Sequence, residues 1–328
     1  MAYDVIAFGE AMVRLSPPHF QRLEQARSLD VEIGGAELNT AAGLARLGRK
    51  VAWVSRLPNN ALGRLITHRV REIGVAEEWV QFTPEGRCGL YFLEFGAAPR
   101  PSAILYDRRD SAMAQVRCGQ FDWPAILRGA QWLHISGITP ALSPTAAEVV
   151  EEALNAAQEA RVKVSFDLNY RSQLWSREQA TTVLARLLPK VELLIASEAD
   201  AEHLFGITGE DFTEVAEQWV ERFGVRIVAG ARREAPLVWR NRFATVGYSA
   251  GKTVESEWYD VEIVDRLGAG DAMAAGLLHG LLDNDLKKGV HYGAAMGALK
   301  HTVPGDLPWL TREEIEAALH GPNLRIRR

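Results

Sequence analysis

The stretch DRLGAGD at residues 265–271 sets two acids and two glycines into seven positions and runs straight into the apolar AMAAGLLHGLL. Glycine lets a backbone approach a ligand closely, and the start of the following helix presents unpaired N–H groups and the positive end of its dipole. An anion therefore has a place to sit, with Asp271 beside it. Three readings compete. Asp271 is a favourable charge at a helix start, worth a few tenths to about 1 kcal/mol; or the glycines form a dinucleotide-binding turn; or their amides hold a phosphate while Asp271 handles a proton. The dinucleotide reading fails on spacing, because Met273 stands where that motif needs a third glycine or alanine. GYSAGKT at 247–253 fails as a phosphate loop, since three residues separate Gly247 from Gly251 where the pattern requires four. A simple cap and phosphoryl transfer remain. The latter needs charge stabilisation at the transferring group and a carboxylate to accept or orient the attacking hydroxyl's proton.

Such residues need a rigid scaffold. Short apolar runs recur at VIAFG (5–9), VAWVS (51–55), WLHIS (132–136), VKVSFDL (162–168), VELLIA (191–196) and VRIVA (225–229). Helical spacing lies between them: 37–47 carries Leu38, Ala41, Ala42 and Ala45 on one face with Gly48 as its stop, and 143–160 carries Val149, Val150, Ala153, Leu154 and Ala157. Continuous apolar strands alternating with helices predict a parallel sheet covered on both faces. Residues 11–33 and 88–108 break the rhythm, alternating weakly with no helix beside them. They predict a small antiparallel β-sheet flap, or lid, built from two insertions, with 1–10, 34–87 and 109–328 forming the main domain. Residues 236–264 read as a hairpin region leading into a strand, VEIV (261–264), and then DRLGAGD.

Composition bounds the function. The chain has 328 residues, 47% hydrophobic and 24% charged, enough for a sizeable core. A net charge of −5 with no basic block argues against nucleic acid as a partner. No run of 18 apolar residues occurs, which argues against a membrane span. Cys88 and Cys118 form no C-x-x-C pair and the N-terminus lacks a basic leader, so reduced thiols and a cytoplasmic location are expected. An anionic ligand would need locally concentrated positive charge.

D-R-L-G-A-G-D resembles the C-terminal motif D-[TR]-x-G-A-G-D of the ribokinase-like (PfkB-type) carbohydrate kinases, and IGGAELNTAAGLARLG (33–48) resembles their N-terminal G-G-x-x-x-N-x-A motif. RLSPP (14–18), YFLEFG (91–96), YDRRDSA (106–112), SGITPAL (136–142), FDLNYRSQLWS (166–176) and LKHTVPGD (299–306) extend the likeness along the chain, towards the 2-keto-3-deoxygluconate kinase branch. The resemblance implies a ribokinase-like three-layer α/β/α fold with a mostly parallel sheet and a β-lid. It implies transfer of the γ-phosphoryl of Mg-ATP to O6 of 2-keto-3-deoxygluconate. A fructokinase or galacto-epimer specificity, and a non-catalytic sugar-acid-binding protein, are the alternatives.

By the same resemblance Asp271 is the catalytic base, and the amides of Gly268, Ala269 and Gly270 form an anion hole. Gly34 and Gly35 let the backbone approach the sugar, or simply make a tight turn, and Asn39 hydrogen-bonds a hydroxyl. Tyr91 and Tyr106 cover the ligand, or fill the flap's core; Ile138 and Asn169 line the sugar site. Arg108 and Arg171 clamp a carboxylate in a bidentate, charge-assisted pair, and Asp167 either fixes Arg171 or sits near magnesium. Ser197, Gly230, Gly268, Gly270 and His301 lie along ATP. Glu198 and Asp200 arrange Mg²⁺ through water, although Ser197 replaces the asparagine of the usual N-x-x-E. Asp265 is expected either to help hold a monovalent cation, with K⁺ the candidate, or to cap the turn. A homodimer through the lid, or a higher homo-oligomer, is expected as well.

Overall fold

The computed structural model describes residues 2–237 and 239–321. Fourteen strands are present among them: β1 (Val5–Phe8), β2 (Met12–Ser16), β3 (Asp30–Gly34), β4 (Val51–Pro58), β5 (Val80–Thr83), β6 (Leu90–Glu94), β7 (Ala103–Asp107), β8 (Trp132–Ser136), β9 (Lys163–Asp167), β10 (Leu193–Ile195), β11 (Ile227–Leu237), β12 (Arg240–Ser249), β13 (Lys252–Glu255) and β14 (Tyr259–Glu262). The helices are α1 (Ala36–Arg46), α2 (Ala61–Glu72), α3 (Trp123–Ile126), α4 (Ile138–Ala141), α5 (Pro144–Ala160), α6 (Arg177–Leu187), α7 (Glu198–Phe205), α8 (Phe212–Phe223), α9 (Ala269–Leu281), α10 (Leu286–Lys300) and α11 (Arg312–Leu319).

Strand side chains alternate between faces, and a sheet covered on both sides needs apolar residues on each. β1 meets that demand: Ile6 and Phe8 enter one core with Val149, Val150 and Leu154 of α5, while Val5 and Ala7 enter the other with Leu38 of α1 and Leu277 of α9. The result is three layers. The sheet runs β13-β12-β11-β10-β9-β8-β1-β4-β5, with β14 branching from β12. From β5 to β11 every pair is parallel. Beyond β11 the pairs are antiparallel, so the expected hairpin region is the far edge of the main sheet. The run expected to end at Ala229 continues to Leu237, held by its pairing with β12. Conversely, β14 stops at Glu262, because the amides of Val264 and Asp265 turn to the carbonyl of His301.

A separate four-stranded sheet, order β3-β2-β6-β7, is assembled from the two alternating stretches. It is mixed, not purely antiparallel: β2 and β6 run parallel, as strands from separate insertions can. Register places Val31, Leu15, Phe92 and Leu105 in one row across all four strands. On the opposite side Arg14, paired with Glu32 and Tyr91, faces the main domain. Among the described residues no helix is long and apolar enough to cross a membrane, and both cysteines are free.

Candidate functional site

The carboxyl ends of the parallel strands open into a cavity of about 1020 Å³, the end at which open α/β sheets bind ligands. β9 delivers Asp167, with Asn169 and Arg171 just beyond it; Ser197, Glu198 and Asp200 follow β10; Gly230 and Arg233 come from β11; and α9 begins with Gly268, Gly270 and Asp271. His301, at the end of α10, completes this wall.

Local rules put α9 in place. Its N-cap, Gly268, has φ 81°, and a Cβ there would sit 2.0 Å from the carbonyl oxygen of Asp306. No other residue suits a left-handed turn in such close packing. The helix start leaves the amides of Gly270 and Asp271 without partners inside the helix, at the edge of the cavity. Ala269 is buried, and its amide leans on the carbonyl of Arg266 at 3.4 Å.

Asp271 is half-buried, and the Nδ2 of Asn39 donates to its Oδ2 at 2.7 Å. Asn39 Oδ1 in turn accepts the Gly35 amide at 3.3 Å. Asn39 therefore braces the acid. Burial raises Asp271 to about 6 against the lowering pull of Asn39 and Arg171. Across the cavity, burial and then the charge of Asp271 push Asp167 up to about 8. The two carboxyls are thus split: at neutral pH Asp167 keeps its proton and Asp271 has released its own.

Several expected residues lie elsewhere. A Cβ on Gly34 would strike Asp306, and one on Gly35 would lie 2.1 Å from the Glu10 carbonyl, so packing alone explains both glycines. Tyr91 is buried beneath the lid and gives its hydroxyl to Asp306, away from both cavity walls. Half-buried Ile138 opens α4, its amide donating to Ser136 Oγ at 3.2 Å. Arg108 is buried and paired with Glu10, its Nε donating at 2.9 Å. It does reach a second cavity of about 610 Å³, shared with Tyr106, Arg109, Tyr170 and Arg171. Arg171 is exposed and lines both cavities.

Where ATP is expected, Ser197 is the N-cap of α7, its Oγ accepting the Asp200 amide at 3.0 Å. Serine thereby does the local work that the usual asparagine side chain could do, and leaves Glu198 and Asp200 on the first turn. Among the described residues no cluster of three or more His, Cys, Asp or Glu could hold a metal ion by itself. Two acids on the wall suit Mg²⁺, which keeps several waters and takes few protein carboxylates. His301 passes its Nδ1–H to the Gly297 carbonyl at 2.6 Å, and burial holds its pKa down to about 4, so the ring is neutral.

Asp265 is committed within the protein. Its carboxylate accepts the amides of Leu267 and Gly305 and pairs with Arg14 at 2.7 Å; Arg14 also bonds Asp306 at 2.7 Å. Beside it the buried Lys300 donates to the carbonyls of Val303 at 3.0 Å and Asp265 at 3.5 Å. A monovalent cation does not fit there as the residues stand, because side-chain cations already hold the oxygens. Arg14, Lys300 and Asp306 were not singled out from sequence, although RLSPP and LKHTVPGD contain them. Arg233 was missed too. It lies between the expected strand 225–229 and the expected hairpin region 236–264, and faces Asp167 and Asp271 across the cavity.

Residues 2–310 match the pfkB family carbohydrate kinases. The chain is 38% identical over 329 residues to a 2-dehydro-3-deoxygalactonokinase of Haloferax volcanii, covering 100% of both. The crystal structure of a 2-dehydro-3-deoxygluconokinase from Thermotoga maritima superposes with a TM-score of 0.94 at 40% identity, covering 98% of this chain and 99% of that one. A putative ribokinase II from E. coli, solved in complex with ATP and Mg²⁺, shares the fold at 22% identity, with a TM-score of 0.85 and coverage of 98% and 99%.

Proposed function

The chain belongs to the pfkB family of carbohydrate kinases, and from that premise we propose that it phosphorylates O6 of 2-keto-3-deoxygluconate with Mg-ATP. The observation that carries the reading is Asp271: a carboxylate poised near 6, at a helix start whose amides edge the cavity. The O6 hydroxyl approaches the γ-phosphorus with its proton directed at Asp271. As the bond to phosphorus forms, Asp271 receives the proton; the bond to the β-phosphate oxygen breaks and leaves ADP. The amides at Gly270 and Asp271 and the guanidinium of Arg233 face the charge that develops on the transferring group. Glu198 and Asp200 would hold Mg²⁺ through water, and the ion would supply charge neutralisation on the phosphates.

The acid end of the substrate is assigned to the second cavity, where Arg108, Arg109 and Arg171 stand with Tyr106 and Tyr170. A neutral ketose would offer Arg109 and Arg171 no carboxylate to pair with. With Arg108 tied to Glu10, Arg171 carries most of the recognition. The test is ADP release with 2-keto-3-deoxygluconate, its C4 epimer, fructose and ribose. A sugar acid preferred by kcat/KM supports the reading, and the epimer ratio decides between the gluco and galacto specificities of the two similar proteins. Equal use of fructose would refute it.

We also propose that a second copy of the chain covers the lid. The row Val31, Leu15, Phe92 and Leu105 is apolar, and Val31 and Leu105, on the two edge strands, are 43% and 60% exposed. Edge strands and an uncovered apolar face both favour pairing. Sedimentation should show a dimer that Leu105→Lys weakens; a wild-type monomer at micromolar concentration would refute this.

A further inference from the structure

The glycine turn before α9 rests against the loop that follows α10. His301 O accepts the amides of Val264 and Asp265 at 2.7 and 3.0 Å, and the Gly305 amide donates to Asp265 Oδ2 at 3.1 Å. Backbone oxygens of both segments converge on one buried point. Lys300 Nζ occupies it, fully shielded from solvent and 3.0 Å from Val303 O, with Asp265 O at 3.5 Å. Its Cε lies 3.3 Å from the place a Cβ of Gly268 would take, directly behind the turn. Asp265, Asp306 and Asp271 are the acids that face it, with Arg14 the neighbouring cation. Burial of an ammonium among carbonyls is tolerated only where oxygen partners replace water.

A primary ammonium and a potassium ion are similar in charge and size, and both bind carbonyl oxygens. We propose that Lys300 is a tethered monovalent cation: its ammonium ties the turn before α9 to the loop after α10, so that the protein needs no added K⁺. Lys300 touches neither phosphate nor sugar and is a positioning residue. It acts through the shape of the turn at Gly268 and through its field at Asp271. The inference rests on the kinase reading for its activity measurements only; the binding measurements stand apart from it.

Wild-type protein in tetramethylammonium buffer should show the same kcat and the same melting temperature with and without KCl, and no site for thallium(I) by NMR. Lys300→Ala should lower kcat about tenfold or more, the decade expected from one charge-assisted contact, with little change in KM. K⁺ or NH₄⁺ should restore turnover and raise the variant's melting temperature, whereas Li⁺ and tetramethylammonium, too small and too large, should not. Lys300→Met, which fills the space without charge, should stay slow in every salt. Activation or stabilisation of wild type by K⁺, thallium binding to it, or Lys300→Ala variants that no cation rescues would overturn the proposal. If Lys300→Ala fails to fold without salt, folding induced by K⁺ but not Li⁺ supports it, and failure in both overturns it. A wild type inactive on all sugars would defeat the kinase reading alone, with the thallium and melting measurements still deciding this one.

Discussion

Removing the side chain of Asn39 should move the acidic limb of the kcat/KM profile upward by about one pH unit. Asp271 stands at about 6 because burial raises it and the Asn39 amide, 2.7 Å away, pulls it back down, helped by Arg171. A hydrogen bond to a charged group contributes about 1.5–3 kcal/mol, and a pKa unit corresponds to about 1.36 kcal/mol. Losing the bond outright would therefore raise the acid by about one to two units. Water from the cavity can take the vacated place, which puts the expected shift at the lower end. The sign follows from the donor: an N–H favours the ionised carboxylate, so its loss favours the protonated form and the base is lost at higher pH. The assay is ADP release by Asn39→Ala on 2-keto-3-deoxygluconate from about pH 5 to about pH 9. Thr40→Val is the control, since Thr40 Oγ1 donates only to backbone carbonyls, those of Ala36 at 3.1 Å and Asp271 at 3.3 Å. An unmoved limb in Asn39→Ala, or an equal shift in the control, would refute the bracing role.

Asp271→Asn should cut kcat by about 10²–10⁴-fold and abolish the acidic limb while calorimetric binding of ATP and sugar acid persists; a retained limb would move the base elsewhere. The two arginines should separate: Arg171→Ala should raise KM for the sugar acid about tenfold or more with an unchanged melting temperature. Arg108→Ala strands Glu10 in the interior and should cost about 3–5 kcal/mol of stability, read by urea denaturation. The double variant Glu198→Ala, Asp200→Ala should need more Mg²⁺ for half-maximal rate; an unchanged titration would point to Asp167 instead.

The layers of the fold were legible because burial writes itself into sequence with a period. VIAFG is apolar throughout and WLHIS is apolar at Trp132, Leu133 and Ile135, on both faces of a sheet covered twice, and the spacing of 143–160 shows one helical face. The glycine turn before α9 was legible because DRLGAGD is contiguous. What escaped were roles made by residues distant in the chain. Asn39 offers an amide that suits a sugar or a carboxylate equally, and its bond to Asp271 is visible only once α1 packs on α9. Arg108 reads as a free cation until Glu10 is seen beside it. Arg14, Asp265, Lys300 and Asp306 come from a lid strand, a turn, a helix end and a loop, and no spacing rule joins them.

The bond from Arg14 to Asp265 and Asp306 has a consequence for anyone wishing to change what this enzyme accepts. The lid invites replacement, being small and made from two insertions, yet one of its central strands is anchored to the turn that starts α9. A transplanted lid without arginine at that position would leave two buried acids facing each other next to the start of α9. A specificity graft would thus arrive with a defect in turnover that has nothing to do with the new sugar. The lid is not a portable part; the smallest unit that can be exchanged intact includes residues 265 and 306.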